Sequence, residues 1–224
     1  MANRGVTRRP GPVPAAPWIK VCGVRRLREV EACARAGATH VGLNAWPRSP
    51  RYVPPRDLGL LAEAAAAQGL VPVVVHVPGS PLDPGLFARV PGLLLQSPAP
   101  PPPALRRRME EGGGVWVEAR PARPELLPAL PRGAVLLVDA PVAGMHGGTG
   151  RRIDPALLRV VPRPFVLAGG LDPDNVAEAV RLASPAGVDA ASGLESSPGV
   201  KDEGKIRAYC QAAREAFERV RSEK

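Results

Sequence analysis

Eight runs of consecutive apolar residues, separated by helix-like or Pro-rich segments, limit what this sequence can fold into. They are Trp18–Cys22, His40–Asn44, Val71–Val77, Gly92–Gln96, Val115–Ala119, Ala134–Asp139, Pro164–Ala168 and Gly187–Ala191. Each is apolar nearly throughout instead of alternating with polar residues, the pattern of strands buried on both faces of a parallel sheet. Ala, Leu, Arg and Glu recur at helical spacing in Leu27–Ala36, Arg56–Gln68, Ala104–Glu111, Pro155–Val160 and Asp172–Ala183. A longer helical segment, Asp202–Arg221, follows the last run. Prolines interrupt Leu82–Val90 and Arg123–Leu130, which predicts only weak helices there. Eight such cycles predict an α/β fold, a single small (β/α)8 TIM barrel. A doubly wound open sheet shares the rhythm, but no G-x-G-x-x-G follows the first run.

Composition narrows the class further. Aromatic residues are only 4% of a chain that is 45% hydrophobic, so Ala, Val and Leu must build the core. Residues 1–17 carry Arg4, Arg8 and Arg9, no acid and no apolar stretch. This predicts a short flexible basic N-terminal extension, not a secretory signal, ahead of one barrel domain over 18–224. No apolar stretch reaches membrane-spanning length. Cys22, Cys33 and Cys210 form no CxxC pair, so neither a disulfide framework nor a zinc site is expected, and the default compartment is the reducing cytoplasm. The net charge of +9 favours a phosphate-bearing partner. Nucleic acid is not expected, because no recognition motif or aromatic interleaving accompanies the charge. No metal is expected, since His40, His76 and His146 lack ligand spacing; a monomer and a homodimer are both compatible with the sequence.

A (β/α)8 barrel places its chemistry at the C-terminal ends of the strands. Cys22-Gly23 closes the first run, where a thiolate could serve as general base, although a lone Cys there is commonly a small buried hydrophobe. Asp139 closes the sixth, where an unpaired carboxylate would be costly to bury. Arg51 lies in the loop Pro47–Tyr52, placed to grip a carboxylate or to stand as a surface cation. Gly169-Gly170 follows run seven and Ser192-Gly193 follows run eight, the two loops that hold phosphate in many small barrels. Gly147-Gly148-Thr149-Gly150 is a further Gly-rich loop, within a candidate lid over 144–152.

Together these segments resemble one family. Lys20-Val21-Cys22-Gly23 is similar to its K-[IV]-C-G, and Gly42 through Ser49-Pro50-Arg51-Tyr52-Val53 to its G-F-x-F-x-x-x-S-x-R-Y-[IV]. Leu136-Leu137-Val138-Asp139 followed by Gly147-Gly148-Thr149-Gly150 resembles L-L-L-D then G-G-[TS]-G. Leu167–Val176, Gly187–Glu195 and Pro198–Asp202 continue the likeness. The sequence thus resembles the phosphoribosylanthranilate isomerases of tryptophan biosynthesis, over Trp18 to about Arg214. It departs at strand four, where Leu94-Leu95-Gln96-Ser97-Pro98 stands for V-Q-L-H-G. The resemblance implies an Amadori rearrangement of a phosphorylated small molecule, without a cofactor. It implies Asp139 as general acid and Cys22 as general base. Arg51 would hold the anthranilate carboxylate, with Gln96 and Gly148 also at the substrate. Gly169, Gly170, Ser192 and Gly193 would hold the phosphate. Two alternatives remain: an isomerase of a related phosphoribosyl substrate, and a catalytically silent phosphate-binding barrel.

Overall fold

A computed structural model describes residues 17–122, 133–139 and 161–223. Eight parallel strands close on themselves in sequence order: β1 (Trp18–Cys22), β2 (His40–Asn44), β3 (Val71–Val75), β4 (Leu94–Ser97), β5 (Trp116–Pro121), β6 (Val135–Asp139), β7 (Phe165–Ala168) and β8 (Gly187–Ala190). The closing pair is β1 with β8, in register from Trp18↔Gly187 to Val21↔Ala190. Closure satisfies every edge strand, which an open sheet could not do. The single (β/α)8 barrel is therefore the architecture.

Because strand residues alternate faces, the apolar runs feed two separate cores. One set of alternate residues fills the barrel interior: Trp18, Val73, Leu94, Val117, Leu137, Val166 and Ala168 pack on one another. The other set, including Val21, Val41, Val74, Leu95, Leu136 and Leu167, packs outward against the helices. At the base of the interior the rings of Trp18 and His40 stack at 4.0 Å between centroids.

The helix Glu203–Ser222 shows how the outer layer is built. Ile206, Tyr209, Cys210, Ala213, Ala216 and Phe217 recur at spacings of three and four and are its buried face. Asp202 starts the helix by accepting a hydrogen bond from the Lys205 backbone N–H at 2.9 Å. Fully burying a side chain such as Ile206 or Phe217 contributes about 1.5–3 kcal/mol. Cys33, on the helix Leu27–Ala36, and Cys210 are fully buried. Burial pushes both thiols up, Cys210 to about 12, so they pack as hydrophobes.

Several boundaries differ from the sequence reading. β3 ends at Val75 instead of Val77, because the chain turns there: Ser80 N–H donates to the Val77 carbonyl, and His76 Nε2 lies 3.1 Å from the Ser80 carbonyl. The segment predicted to be helical from Asp172 becomes helix only at Val176. The Asp172 carboxylate accepts the backbone N–H groups of Asp174 and Asn175, folding residues 172–175 into a turn. Leu82–Val90 retains one short helix, Leu86–Arg89. The expectations for the N-terminal extension, for helices at Arg123–Leu130 and Pro155–Val160, and for the candidate lid lie outside the described residues. No helix among the described residues is long and apolar enough to cross a membrane.

Candidate active site

Register places Cys22, Lys20, Asp189 and Asp139 at one end of one interior. Asp139 pairs with Ala168, Ala168 with Asp189, and Asp189 with Lys20, so one row of the barrel reads Asp, Ala, Asp, Lys across β6, β7, β8 and β1. Ala168 leaves little between the two carboxylates, whose strands are about 10 Å apart at two inter-strand spacings. Cys22 lies two residues beyond Lys20, on the same face of β1.

Two charges in this row sit in otherwise apolar strands. Lys20 is fully buried and donates to Asp189 Oδ2 at 2.7 Å and to Gln96 Oε1 at 2.9 Å. Burial lowers the Lys20 pKa, but the Asp189 carboxylate and Cys22 outweigh it and leave the ammonium pKa raised. Asp189 Oδ1 is buried without a hydrogen-bond partner among the described residues.

This pair tunes the groups above it. Cys22 is half-buried, and burial raises its pKa; the Lys20 ammonium opposes that shift and Asp189 adds to it. The pKa of Asp139 is raised as well, first by lost hydration and second by the Asp189 charge. A carboxyl with a raised pKa is a better proton donor near neutrality. Space for the thiol is provided by Gly42, its register partner on β2: a Cβ there would stand 2.6 Å from Cys22 Sγ.

The glycine loops meet as the sequence predicted. Gly169 and Gly170 both have positive φ, 102° and 64°, which excludes most side chains. Ser192 and Gly193 open a 3₁₀ turn, Ser192–Leu194, after β8. A Cβ on Gly193 would stand 2.2 Å from the Leu171 carbonyl oxygen, so the two loops abut. A cleft of about 360 Å³ borders the same turn, lined in part by Asp172, Gly193 and Lys205.

Arg51 stands beside this site but is already paired. Its Nε and Nη2 donate to the two oxygens of Glu195 at 2.6 and 2.8 Å. Its stem lies over Gly23, where a Cβ would come within 2.4 Å of Arg51 Cδ. Glu195 Oε1 also accepts from Lys201 Nζ at 3.0 Å. Burial raises the Glu195 pKa, yet the bonds from Arg51 and Lys201 prevail and hold the carboxyl below its usual value.

Thus Cys22, Asp139, Arg51, Gly169, Gly170, Ser192 and Gly193 all lie at the predicted mouth. Gln96 is buried and engaged with Lys20, and Gly148 lies outside the described residues. Sequence reasoning missed Lys20, Asp189, Glu195 and Lys201. Opposite charges inside two apolar runs, Trp18–Cys22 and Gly187–Ala191, were the available signal, since buried charges are normally paired. No cluster of His, Cys, Asp or Glu among the described residues could hold a metal ion.

Comparison with known proteins agrees with this geometry. The model of the N-(5′-phosphoribosyl)anthranilate isomerase family matches residues 112–212. A protein of that name from Solibacter usitatus is 36% identical over 89% of this chain and 98% of its own. Another, from Magnetococcus marinus, is 38% identical over 88% of this chain and 95% of its own. Among solved structures, TrpF from Jonesia denitrificans is 31% identical with a TM-score of 0.67, covering 90% of this chain and 98% of that one.

Proposed function

We propose, from the premise that the chain belongs to the N-(5′-phosphoribosyl)anthranilate isomerase family, that Asp139 and Cys22 are the acid and base of its reaction. That reaction converts N-(5′-phosphoribosyl)anthranilate to 1-(2-carboxyphenylamino)-1-deoxyribulose 5-phosphate in tryptophan biosynthesis, and the chain is such an aldose–ketose isomerase. Its substrate is a phosphorylated small molecule carrying a carboxylate at the other end.

Asp139 donates a proton to the furanose ring oxygen as the C1′–O bond breaks, and the anthranilate nitrogen lone pair forms the C=N bond of a Schiff base. Cys22, as thiolate, then takes the C2′ proton, and the electrons left behind give an enolamine. Addition of a proton at C1′ with loss of the C2′ hydroxyl proton yields the aminoketone. An acid on β6 and a base on β1 can address one sugar from two sides of the mouth. Gly169, Gly170, Ser192 and Gly193 hold the phosphate, and Arg51 holds the carboxylate.

The observation that carries this reading is the shared row of the barrel. Asp189 lies between the two groups and adds to the upward pKa shift that burial gives each of them, while Lys20 supports the charge that Cys22 must develop. The test is turnover of freshly prepared substrate, followed by loss of anthranilate fluorescence. Cys22→Ala and Asp139→Asn should each lower kcat about 10²–10⁴-fold while remaining folded. Retained turnover in either variant would remove that residue from its role.

A further inference from the structure

We infer that Glu195 is the positioning residue that aims Arg51, selecting which edge of its guanidinium meets the substrate carboxylate. The inference rests on the reading of Arg51 as the carboxylate grip. A guanidinium has two edges that can bind a carboxylate through two bonds, one formed by Nε and Nη2, the other by Nη1 and Nη2. Glu195 occupies the first edge through both of its oxygens, at 2.6 and 2.8 Å. The second edge is the one left for a ligand.

The clamp is held from several directions. The Glu195 side chain is 5% exposed against 22% for Arg51, so the carboxylate is the fixed partner and the guanidinium the one that reaches outward. Lys201, fully buried at its side chain, donates to Glu195 Oε1 at 3.0 Å and to the carbonyl of Ala191 at 2.8 Å. Ala191 directly precedes Ser192-Gly193. Lys205 Nζ donates to the Glu195 backbone carbonyl at 2.8 Å. On the other side, Gly199 lies under Pro50, where a Cβ would stand 2.4 Å from the Pro50 carbonyl oxygen. Arg25 Nη1 donates to the carbonyls of both Pro50 and Gly199, at 3.1 and 3.3 Å. The loop bearing Arg51 is therefore fastened to the strand pair Glu195–Ser197 and Val200–Lys201 that follows the phosphate loop. Glu195 is the side chain through which the two anion anchors share one frame.

The sign of the effect separates aiming from charge. Removing the Glu195 carboxylate leaves Arg51 and Lys201 with more uncompensated positive charge, which alone would tighten binding of an anionic substrate. Loss of aim would weaken it. Glu195→Gln should raise KM about tenfold with kcat within about twofold of wild type, and weaken competitive inhibition by anthranilate by a similar factor. Glu195→Asp, which keeps the charge on a shorter stem, should recover part of the affinity. In the double variant with Arg51→Ala, Glu195→Gln should add nothing to the rise in KM, because Glu195 acts through Arg51.

A fall in KM, or a rise that adds fully to that of Arg51→Ala, would overturn the inference. If Arg51→Ala itself leaves KM and anthranilate inhibition unchanged, the assignment of Arg51 is what fails. Unfolding of Glu195→Gln, read by circular dichroism, would itself count against the inference, as the sign of a purely structural role. The Glu195→Asp variant then repeats the comparison of KM with kcat, and an unchanged KM there overturns the inference.

Discussion

Lowering the pH should weaken this fold through His40, by an amount that follows from its surroundings. The imidazole is 6% exposed, stacks on Trp18, and its Nδ1 lies 2.7 Å from the Thr39 hydroxyl. Burial, seconded by the Lys20 charge, lowers its pKa from 6.5 to about 3. The folded protein therefore keeps His40 neutral while the unfolded chain protonates it near 6.5. A group whose folded pKa is depressed stabilises the fold fully above the unfolded value and loses that contribution as pH falls toward the folded one. At pH 4.5 two units of that interval have been crossed, a loss of about 3 kcal/mol relative to pH 7.5. Against a typical total of about 5–15 kcal/mol this is a measurable fraction. Carboxylates titrate in the same range, so the comparison must be differential. In urea unfolding at the two pH values, wild type should lose about 3 kcal/mol more than His40→Gln, whatever the absolute stability of the variant. Parallel losses in the two proteins would refute the account of a buried neutral imidazole.

The thiol and the glycine beside it give two more expectations. Alkylation of Cys22 by iodoacetamide should be slow at pH 7 and still accelerating above pH 9, because burial raises its pKa; Lys20→Met should slow it further by removing the opposing charge. Gly42→Ala should lower kcat about 10²-fold with the fold retained, since its methyl would meet Cys22 Sγ and displace the base; unchanged kcat would mean the thiol has another position to occupy.

How much could be read from the sequence depended on whether the relevant contact was local. The ends of β1, β6 and β7 were legible because there the apolar run stops where the strand stops, and at β8 it stops within one residue; that placed Cys22, Asp139 and both glycine loops at the mouth. The turn at Asp172–Asn175 was misread as helix because it directly adjoins the Ala and Val spacing that begins at Val176, while the Asp172 carboxylate diverts the backbone hydrogen bonds. The partner of Arg51 was not legible at all. Glu195 is 144 residues away, and only the curvature of a closed barrel brings the loop after β2 to the segment after β8. Gln96 was expected at the substrate; its neighbour Lys20 instead claims its amide oxygen across the interior.

The closing bond between Lys20 and Asp189 spans 169 residues, and this orders events during synthesis. A ribosome adding about 5–20 residues per second needs roughly 10–30 s to make the chain between them. Throughout that interval one margin of β1 has no neighbour and could pair with another nascent chain. An ammonium on such a margin opposes that pairing, because it resists dehydration until a carboxylate arrives. Lys20 therefore acts at two times in the life of the molecule. Before closure its charge disfavours pairing of that margin with another chain, and after closure it is the buried counter-charge beneath Cys22.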